Sequence, residues 1–516
     1  MSNLFKSLSV VSGVTSVSRV LGLLRDVLFF SCFGSSAIAS AFILAFTLPN
    51  LFRRMLGEGT LSSAFIPVYA EQLQGDGLHP AHRILNQVLS RLGLFLLLLS
   101  LIVSLTSLFL PPSLNLAGKW LNGAYLNAII FPYVLLICLS AILVGALNTH
   151  RAFFAGAFSP VILNLCMIGS LILGKWWLDL DGMDLATCLC LGVLAGGLLQ
   201  LAMPWLQLSK LKGWNWKPDL EGSAPLNQVK ALFWVGAFGA AVAQVNVLVS
   251  RLLAYSLEDQ SAVPYLFLSS RLIELPLGLF AIAISTVLFP EMARSSVSSD
   301  EKGFAGHFAR GWRLTLALTL PATVGLAMLA EPILSVLFQW GRFGAGDVAR
   351  ASEVLVVASA ALPFYALCSY LIKVFHSRRQ MKPPLWAGIL SLVVNLGLSL
   401  LLMERYGVIG LAWANVGAAL FQALLLLLQL KPFSLRQYLK PSPFFLHATL
   451  LAPGAMAGGL WMLRSVVDFD PTRMGNLFTL CLFIPAGVLI QFVLLFICGL
   501  PEARQLGKRL WSTSSK

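Results

Sequence analysis

Seven basic residues fall inside stretches apolar enough to cross a membrane: Arg19, Arg25, Arg53, Arg54, Arg251, Arg271 and Lys373. Three acids share those stretches, Asp26, Glu58 and Glu274, with Glu291 near an end. Pairing alone therefore leaves four positive charges over. A charge facing hydrocarbon costs at least about 2.5 kcal/mol on insertion scales, so these side chains are expected to line a water-filled cavity between two halves of the molecule. Six of the seven are arginines. The guanidinium is a planar fork that grips phosphate oxygens in pairs and is weakly hydrated. A cationic, arginine-rich cavity asks for an anionic, phosphorylated ligand.

Helical spacing arranges these charges. Residues seven apart lie within about 20° of one another on a helix, so Arg19 shares a stripe with Asp26, and Ser18 shares the next with Arg25. Arg54 and Glu58 are i, i+4 neighbours, and Arg271 and Glu274 are i, i+3 neighbours. The stretch LPNLFRRMLGEGTLSSAFIP, residues 48–67, sets Arg53, Arg54 and Glu58 between Pro49 and Pro67. Prolines within the membrane bend helices around cavities, and the helix-breaking GEG beside the arginines favours the same reading. Adjacent residues point about 100° apart on a helix. Arg53 and Arg54 therefore grip one phosphate alike only if the helix is irregular there. The i, i+4 spacing assigns Arg54 to Glu58 and leaves Arg53 for the phosphate. Blander readings stand beside these. Arg19, Arg25 and Lys373 could snorkel to an interface, Arg53 and Arg54 could mark an early helix end, and Arg271 with Glu274 could be a structural pair.

The elements that must position these residues are read from hydropathy. The chain has 516 residues, 58% of them hydrophobic and 11% charged, against about 25% charged in an ordinary soluble domain. At about 20 apolar residues per span, fourteen transmembrane helices are expected, among them 8–33, 38–70, 262–292, 384–403 and 408–430. Of the 36 Lys and Arg residues, 22 fall on the side holding both termini, 7 on the other side and 7 within spans. The positive-inside rule then places both termini in the cytoplasm. It also accounts for the net charge of +14 without a nucleic-acid partner. The first apolar run is interrupted by Arg19 and Arg25, so it is not expected to be a cleaved leader. The eight cysteines lie in apolar runs. No zinc motif, phosphate loop, paired carboxylate or Ser/His/Asp pattern is present, so no catalytic residue, metal or cofactor is expected and the chain does not read as an enzyme.

The chain also reads as duplicated. Ser18-Arg19 echoes Ser250-Arg251, the segment from Leu48 to Pro67 echoes Leu275 to Pro290, and residues 148–164 echo 376–395, at offsets of 223–232 residues. Two parallel six-helix repeats follow: an N-lobe at 1–225 and a C-lobe at 226–440. Residues 441–516 carry two further helices and a cytoplasmic tail.

The motifs SRVLGLLRD, AFTLPNLFRRMLGEGTLSSAFIPVYAE, GALNTHRAFFAGAFSPVILN, SRLIELPLG and VLFQWGRF together resemble the bacterial lipid II flippases, the MurJ or MviN family, of the multidrug/oligosaccharidyl-lipid/polysaccharide exporter superfamily. The resemblance runs over nearly the whole chain. It implies two six-helix lobes plus two C-terminal helices whose groove holds a polyprenyl tail. It implies transport of lipid II, the undecaprenyl-pyrophosphate-linked peptidoglycan precursor, from the inner to the outer leaflet of the bacterial cytoplasmic membrane by alternating access, for cell-wall synthesis and cell shape. The binding residues it implies are Arg19, Arg25, Arg53, Arg54 and Arg271, supported by Ser18, Asp26, Pro49, Glu58 and Glu274. The implied partners are lipid II, membrane lipids and peptidoglycan-synthesis proteins. Some relatives carry acids at Ser40 and Ser270 and a lysine at Thr47, so the resemblance does not carry a charge relay or ion coupling through those positions over to this chain. The alternative reading is a flippase for another polyprenyl-pyrophosphate-linked glycan or a multidrug exporter of the same superfamily.

Overall fold

The computed structural model describes residues 2–55, 61–75, 77–113, 118–430, 451–467 and 472–497. Among them are eighteen α-helices and no strand. Seven described helices are long and apolar enough to cross a membrane, or up to nine if each of two bent pairs is one span. That criterion stops short of the fourteen expected. One reason is visible in a helix traced from Lys382 to Gln429. Its 48 residues would reach about 72 Å as one rod, more than twice the hydrocarbon thickness of about 30 Å. Gly407, at φ 54° and ψ −131°, breaks it. Only a residue without Cβ takes that conformation cheaply, so two spans meet there.

The lipid-facing character shows on α4 (Leu78–Ser113). Phe95, Ile102 and Phe109, seven residues apart on one stripe, are 58%, 60% and 70% exposed. In water such a stripe would be an aggregation liability, whereas in hydrocarbon it is the surface the solvent requires.

The described residues divide into two compact units. The first runs over Met1–Pro264 with Trp340–Phe343, the second over Tyr265–Gln339 with Gly344–Lys516. The first holds α1 (Ser2–Phe33), α2 (Ala37–Phe52), α3 (Leu61–Gly75), α4, α5 (Gly118–Ile130), α6 (Tyr133–Thr149), α7 (Phe154–Ile172), α8 (Gly182–Lys212) and α9 (Ala224–Ser256). Its core packs Phe65, Tyr69, Leu85, Ile142, Leu143 and Trp214. Serines start two of these helices. Ser36 Oγ accepts from the N–H of Ala39 before α2, and Ser223 Oγ accepts from the N–H of Leu226 before α9, which satisfies donors that have no partner inside the helix.

The helix α9 packs on α2 and α3 and is fastened at both ends. At its C-terminal end, Lys119 Nζ donates to the carbonyls of Ser256 at 3.3 Å and Leu257 at 2.7 Å, and Tyr255 Oη donates to the carbonyl of Lys119. At its N-terminal end, Ser223 Oγ donates to Gln87 Oε1 on α4 at 2.6 Å. The short Trp340–Phe343 segment also seats in the first unit. Arg342 donates its N–H to the Ser31 carbonyl at 2.9 Å and a guanidinium N–H to the Asp181 carboxylate. A Cβ on Gly341, at φ 55°, would stand 2.4 Å from that Ser31 oxygen, so glycine is required there.

The second unit holds α10 (Ala262–Pro276) for most of its length, α11 (Ile282–Val297), α12 (Glu301–Met328), α13 (Ala330–Phe338), α14 (Ala345–Ser359), α15 (Leu362–Ser377), α16 (Lys382–Gln429), α17 (Ala452–Val466) and α18 (Arg473–Ile497). Its core packs Met292, Phe308, Tyr370, Leu371, Phe375 and Leu426.

Two backbone details recur between the halves. After α6 the chain turns through Arg151 at φ 62°, with Ala152 N–H donating to Leu147 O at 3.0 Å. After α15 it turns through Arg379 at φ 57°, with Gln380 N–H donating to Phe375 O at 3.0 Å. Leu147 and Phe375, Arg151 and Arg379, and the helix starts Phe154 and Lys382 are each 228 residues apart. A π-helical turn also follows α2 at Arg53–Met55 and α10 at Leu277–Ala281. The same comparison resets one sequence echo. Arg251 lies eleven residues before Ala262, where α10 starts, and Arg25 lies twelve before Ala37, where α2 starts. By position in the fold, Arg251 therefore corresponds to Arg25 and not to Arg19.

Candidate functional site

Four of the five arginines singled out as binding residues, Arg19, Arg25, Arg53 and Arg54, lie in the first unit, and Arg251 joins them there. Arg271 lies in the second.

On α1, Arg19 is exposed and Ser18 half-buried. Arg25 is held on three sides. Its Nη2 and Nε donate to Asp26 Oδ1 at 2.6 and 3.0 Å, and its Nη1 donates to Asn164 Oδ1 at 3.1 Å. The two charged side chains are only 12% and 5% exposed. Asn164, on α7, completes the arrangement by donating Nδ2 to the Ser18 carbonyl at 3.2 Å. One amide thus bridges Ser18 and Arg25, the two residues that share a stripe. The bond between neighbours Arg25 and Asp26 differs from the Arg19–Asp26 stripe read from spacing. It forms because the long guanidinium arm folds back along its own helix while α7 supplies the amide that holds it. The cost of burying this pair is reduced by the extra hydrogen bond, and its net charge is zero.

On α2, Pro49 sits inside the helix and leaves a carbonyl without its usual donor. Side chains crowd the same turns. Thr47 Oγ1 donates to Ile43 O at 2.6 Å, and Asn50 Nδ2 donates to Phe46 O at 3.0 Å. Arg251, from α9, donates Nη1 to the buried Thr47 hydroxyl. The helix then widens into the π-turn at Arg53–Met55, with Arg53 half-buried and Arg54 exposed. Single π-turns accompany functional sites. This one makes the helix irregular where the two adjacent arginines stand. Glu58, and with it the expected Arg54–Glu58 pair and the GEG bend, lies outside the described residues.

On α10, Arg271 Nη1 stands 3.5 Å from Glu274 Oε2, with side chains 38% and 50% exposed. An ion pair this open contributes at most about 1 kcal/mol. Ser270 Oγ donates back to Leu266 O at 2.8 Å.

Asn164 and Thr47 are the residues that charge-counting did not single out. Asn164 is a lone amide in the apolar run FSPVILN, which is the signal that could have marked it, since a buried amide needs partners. Among the described residues no three His, Cys, Asp or Glu side chains cluster as metal ligands would. What the site offers is guanidinium forks and hydroxyls, chemistry suited to holding a phosphorylated head group.

The family model described as lipid II flippase MurJ matches residues 29–483. A probable lipid II flippase MurJ of Vibrio cholerae is 33% identical over 485 residues, covering 90% of each chain. The lipid II flippase MurJ of Burkholderia cenocepacia is 31% identical over 492 residues, covering 92% of each. The solved structure of a lipid II flippase MurJ in an inward closed conformation superposes with a TM-score of 0.78 at 27% identity, covering 94% of this chain and 98% of that one. An inward-facing multidrug-resistance MATE transporter of the MOP superfamily shares the fold at a TM-score of 0.66 and 13% identity, over 79% of this chain and 92% of its own. With its helical membrane fold, its arginines and these matches taken together, the chain belongs to the lipid II flippase MurJ family.

Proposed function

We infer that the chain is a lipid II flippase of the bacterial cytoplasmic membrane. It carries the undecaprenyl-pyrophosphate-linked peptidoglycan precursor from the inner to the outer leaflet by alternating access of a head-group site to the two faces. The observation that carries this reading is the surplus of intramembrane arginines over acids, in a chain of this family. Arg19, Arg53 and Arg271 serve the pyrophosphate, Arg54 stands beside them paired with Glu58, and Arg25 holds the shape of the site through Asp26 and Asn164. Ser18, Pro49, Glu58 and Glu274 support them. Residues 1–225 and 226–440 are the two repeats, and 441–516 add the helices beside which the polyprenyl tail rests. Both termini are cytoplasmic.

No covalent bond is made or broken, so the chain acts as a transporter without being an enzyme. An inside-negative potential favours the direction, since each negative charge moved outward gains about 2.3 kcal/mol per 100 mV. Flipping in proteoliposomes should slow when the potential is collapsed, and an unchanged rate would remove the potential as the energy source.

The fold shared with MATE transporters raises drug export as a second reading. Cationic drugs would want acids or aromatic faces, and the surplus here is of the opposite sign. Native mass spectrometry of the purified protein with lipid II, a second polyprenyl-pyrophosphate glycan and a cationic drug tests the assignment. Lipid II should be retained in preference to both, and preferential retention of either competitor would overturn it.

A further inference from the structure

The chain between α8 and α9 is an ordered strap. After Lys212, Gly213 turns it in the left-handed conformation, and it runs without helix to Ser223. Trp214 is fully buried, its indole N–H donating to Asn86 Oδ1 at 2.9 Å and its ring 4.9 Å from that of Trp205. The two acids of the strap are engaged by α4. Asp219 meets Arg83 Nε at 3.4 Å and accepts from Gln87 Nε2 at 3.2 Å, and Glu221 meets Arg83 Nη2 at 2.6 Å.

The bases are left over. Lys210, Lys212 and Lys217 are exposed and form no ion pair among the described residues. Beside them Trp216 is 45% exposed, its ring 6.1 Å from that of Trp205. Lys210 and Lys212 also complement the C-terminal carbonyls of α8, but Lys217 lies beyond the helix altogether. Burial together with the charge of Lys212 keeps the His150 imidazole below its ordinary value, so Lys212 sits within electrostatic reach of the turn after α6.

We propose that Lys210, Lys212, Trp216 and Lys217 form a binding site for the phosphodiester head group of an anionic phospholipid in the inner leaflet. Ammonium groups suit a singly charged phosphodiester, and an amphipathic indole sits well at head-group depth. The strap fixes Trp216 and Lys217 in place, because its buried tryptophan and its acids are tied to α4, while Lys210 and Lys212 ride on the last turn of α8. The placement in the inner leaflet rests on the cytoplasmic orientation proposed above. None of the four residues belongs to the arginine set assigned to lipid II.

The full-length protein in detergent, titrated with phosphatidylglycerol and, separately, with phosphatidylcholine of the same chains, tests this by native mass spectrometry. A lysine near an anionic surface contributes about fivefold. The combined Lys210→Gln, Lys212→Gln and Lys217→Gln variant should therefore lose phosphatidylglycerol by about a hundredfold, with phosphatidylcholine and lipid II retention unchanged. If that variant unfolds at a lower temperature than the parent, Trp216→Ala with Lys217→Gln, both on the strap surface, replaces it and should lose about fivefold. Equal retention of phosphatidylglycerol by parent and variants would overturn the site, and so would equal retention of the two lipids by the parent. Detergent exposes both ends of the molecule, so the binding result stands apart from topology. Outside labelling of a cysteine at Lys212 would overturn the inner-leaflet placement alone.

Discussion

At the scale of single residues, the arginines divide by how deeply each is buried. Arg53 and Arg54 sit at a π-turn with different exposure, so they should respond differently to the same change. Arg53→Lys replaces a fork with a point charge and is expected to weaken lipid II binding about tenfold, the size of one charge-assisted hydrogen bond. Arg54→Lys should cost less, because a lysine can still meet Glu58. Binding measured on the two single variants decides it, and equal mild effects would mean that the pair only marks a helix end. Asn164 makes the complementary case. Asn164→Leu removes the second donor to the Ser18 carbonyl and leaves one edge of Arg25 without its amide partner, a loss of about 1–3 kcal/mol. Its thermal unfolding in detergent should fall by several degrees, while Asn164→Ala should fall further, because a cavity is added to the lost bonds. Charge surplus and helical stripes were legible in the sequence at this scale, including the kinship of Ser18 and Arg25. The Arg25–Asp26 bond was not. Neighbours on a helix point about 100° apart, and whether a long arm folds back is decided by an amide on another helix.

At the scale of elements, the helical class, the duplication and the break near residue 407 could be read from apolar runs and turn residues. The break shows itself as a glycine in a conformation closed to other residues. Gly407→Ala should destabilise the protein by about 1–3 kcal/mol, seen as a lower unfolding temperature. An unchanged temperature would mean that the two spans tolerate a continuous helix. The register of the first echo was misread, because Ser-Arg pairs match by identity while helix ends fix the true alignment. The allegiance of α9 was also hidden. No pattern in its own residues shows that Lys119 and Gln87 hold its two ends. If α9 travels with the first unit, then a short cross-linker joining cysteines at Gln87 and Ser223 should leave flipping intact. Loss of flipping on cross-linking, restored on cleavage of the linker, would show that this junction opens during transport.

At the scale of the whole molecule, the distribution of lysine and arginine is the feature with the widest reach. In a background cleared of native cysteines, a cysteine at Lys212 or Lys382 should be shielded from an impermeant thiol reagent added outside. One at Lys119 or Arg473 should label. The reverse pattern would overturn the orientation and with it the direction of transport. The division into units has another consequence, for synthesis. The first unit needs α9, and it also needs Trp340–Phe343, which the ribosome makes only after several helices of the second. Whatever has inserted by then waits with the seat for Arg342 unfilled at Ser31 and Asp181. The two units thus mature in an interleaved order, the earlier one completed by a short piece made late, from within the stretch that encodes the other, and a nascent chain halted before residue 340 would hold neither unit in its finished form.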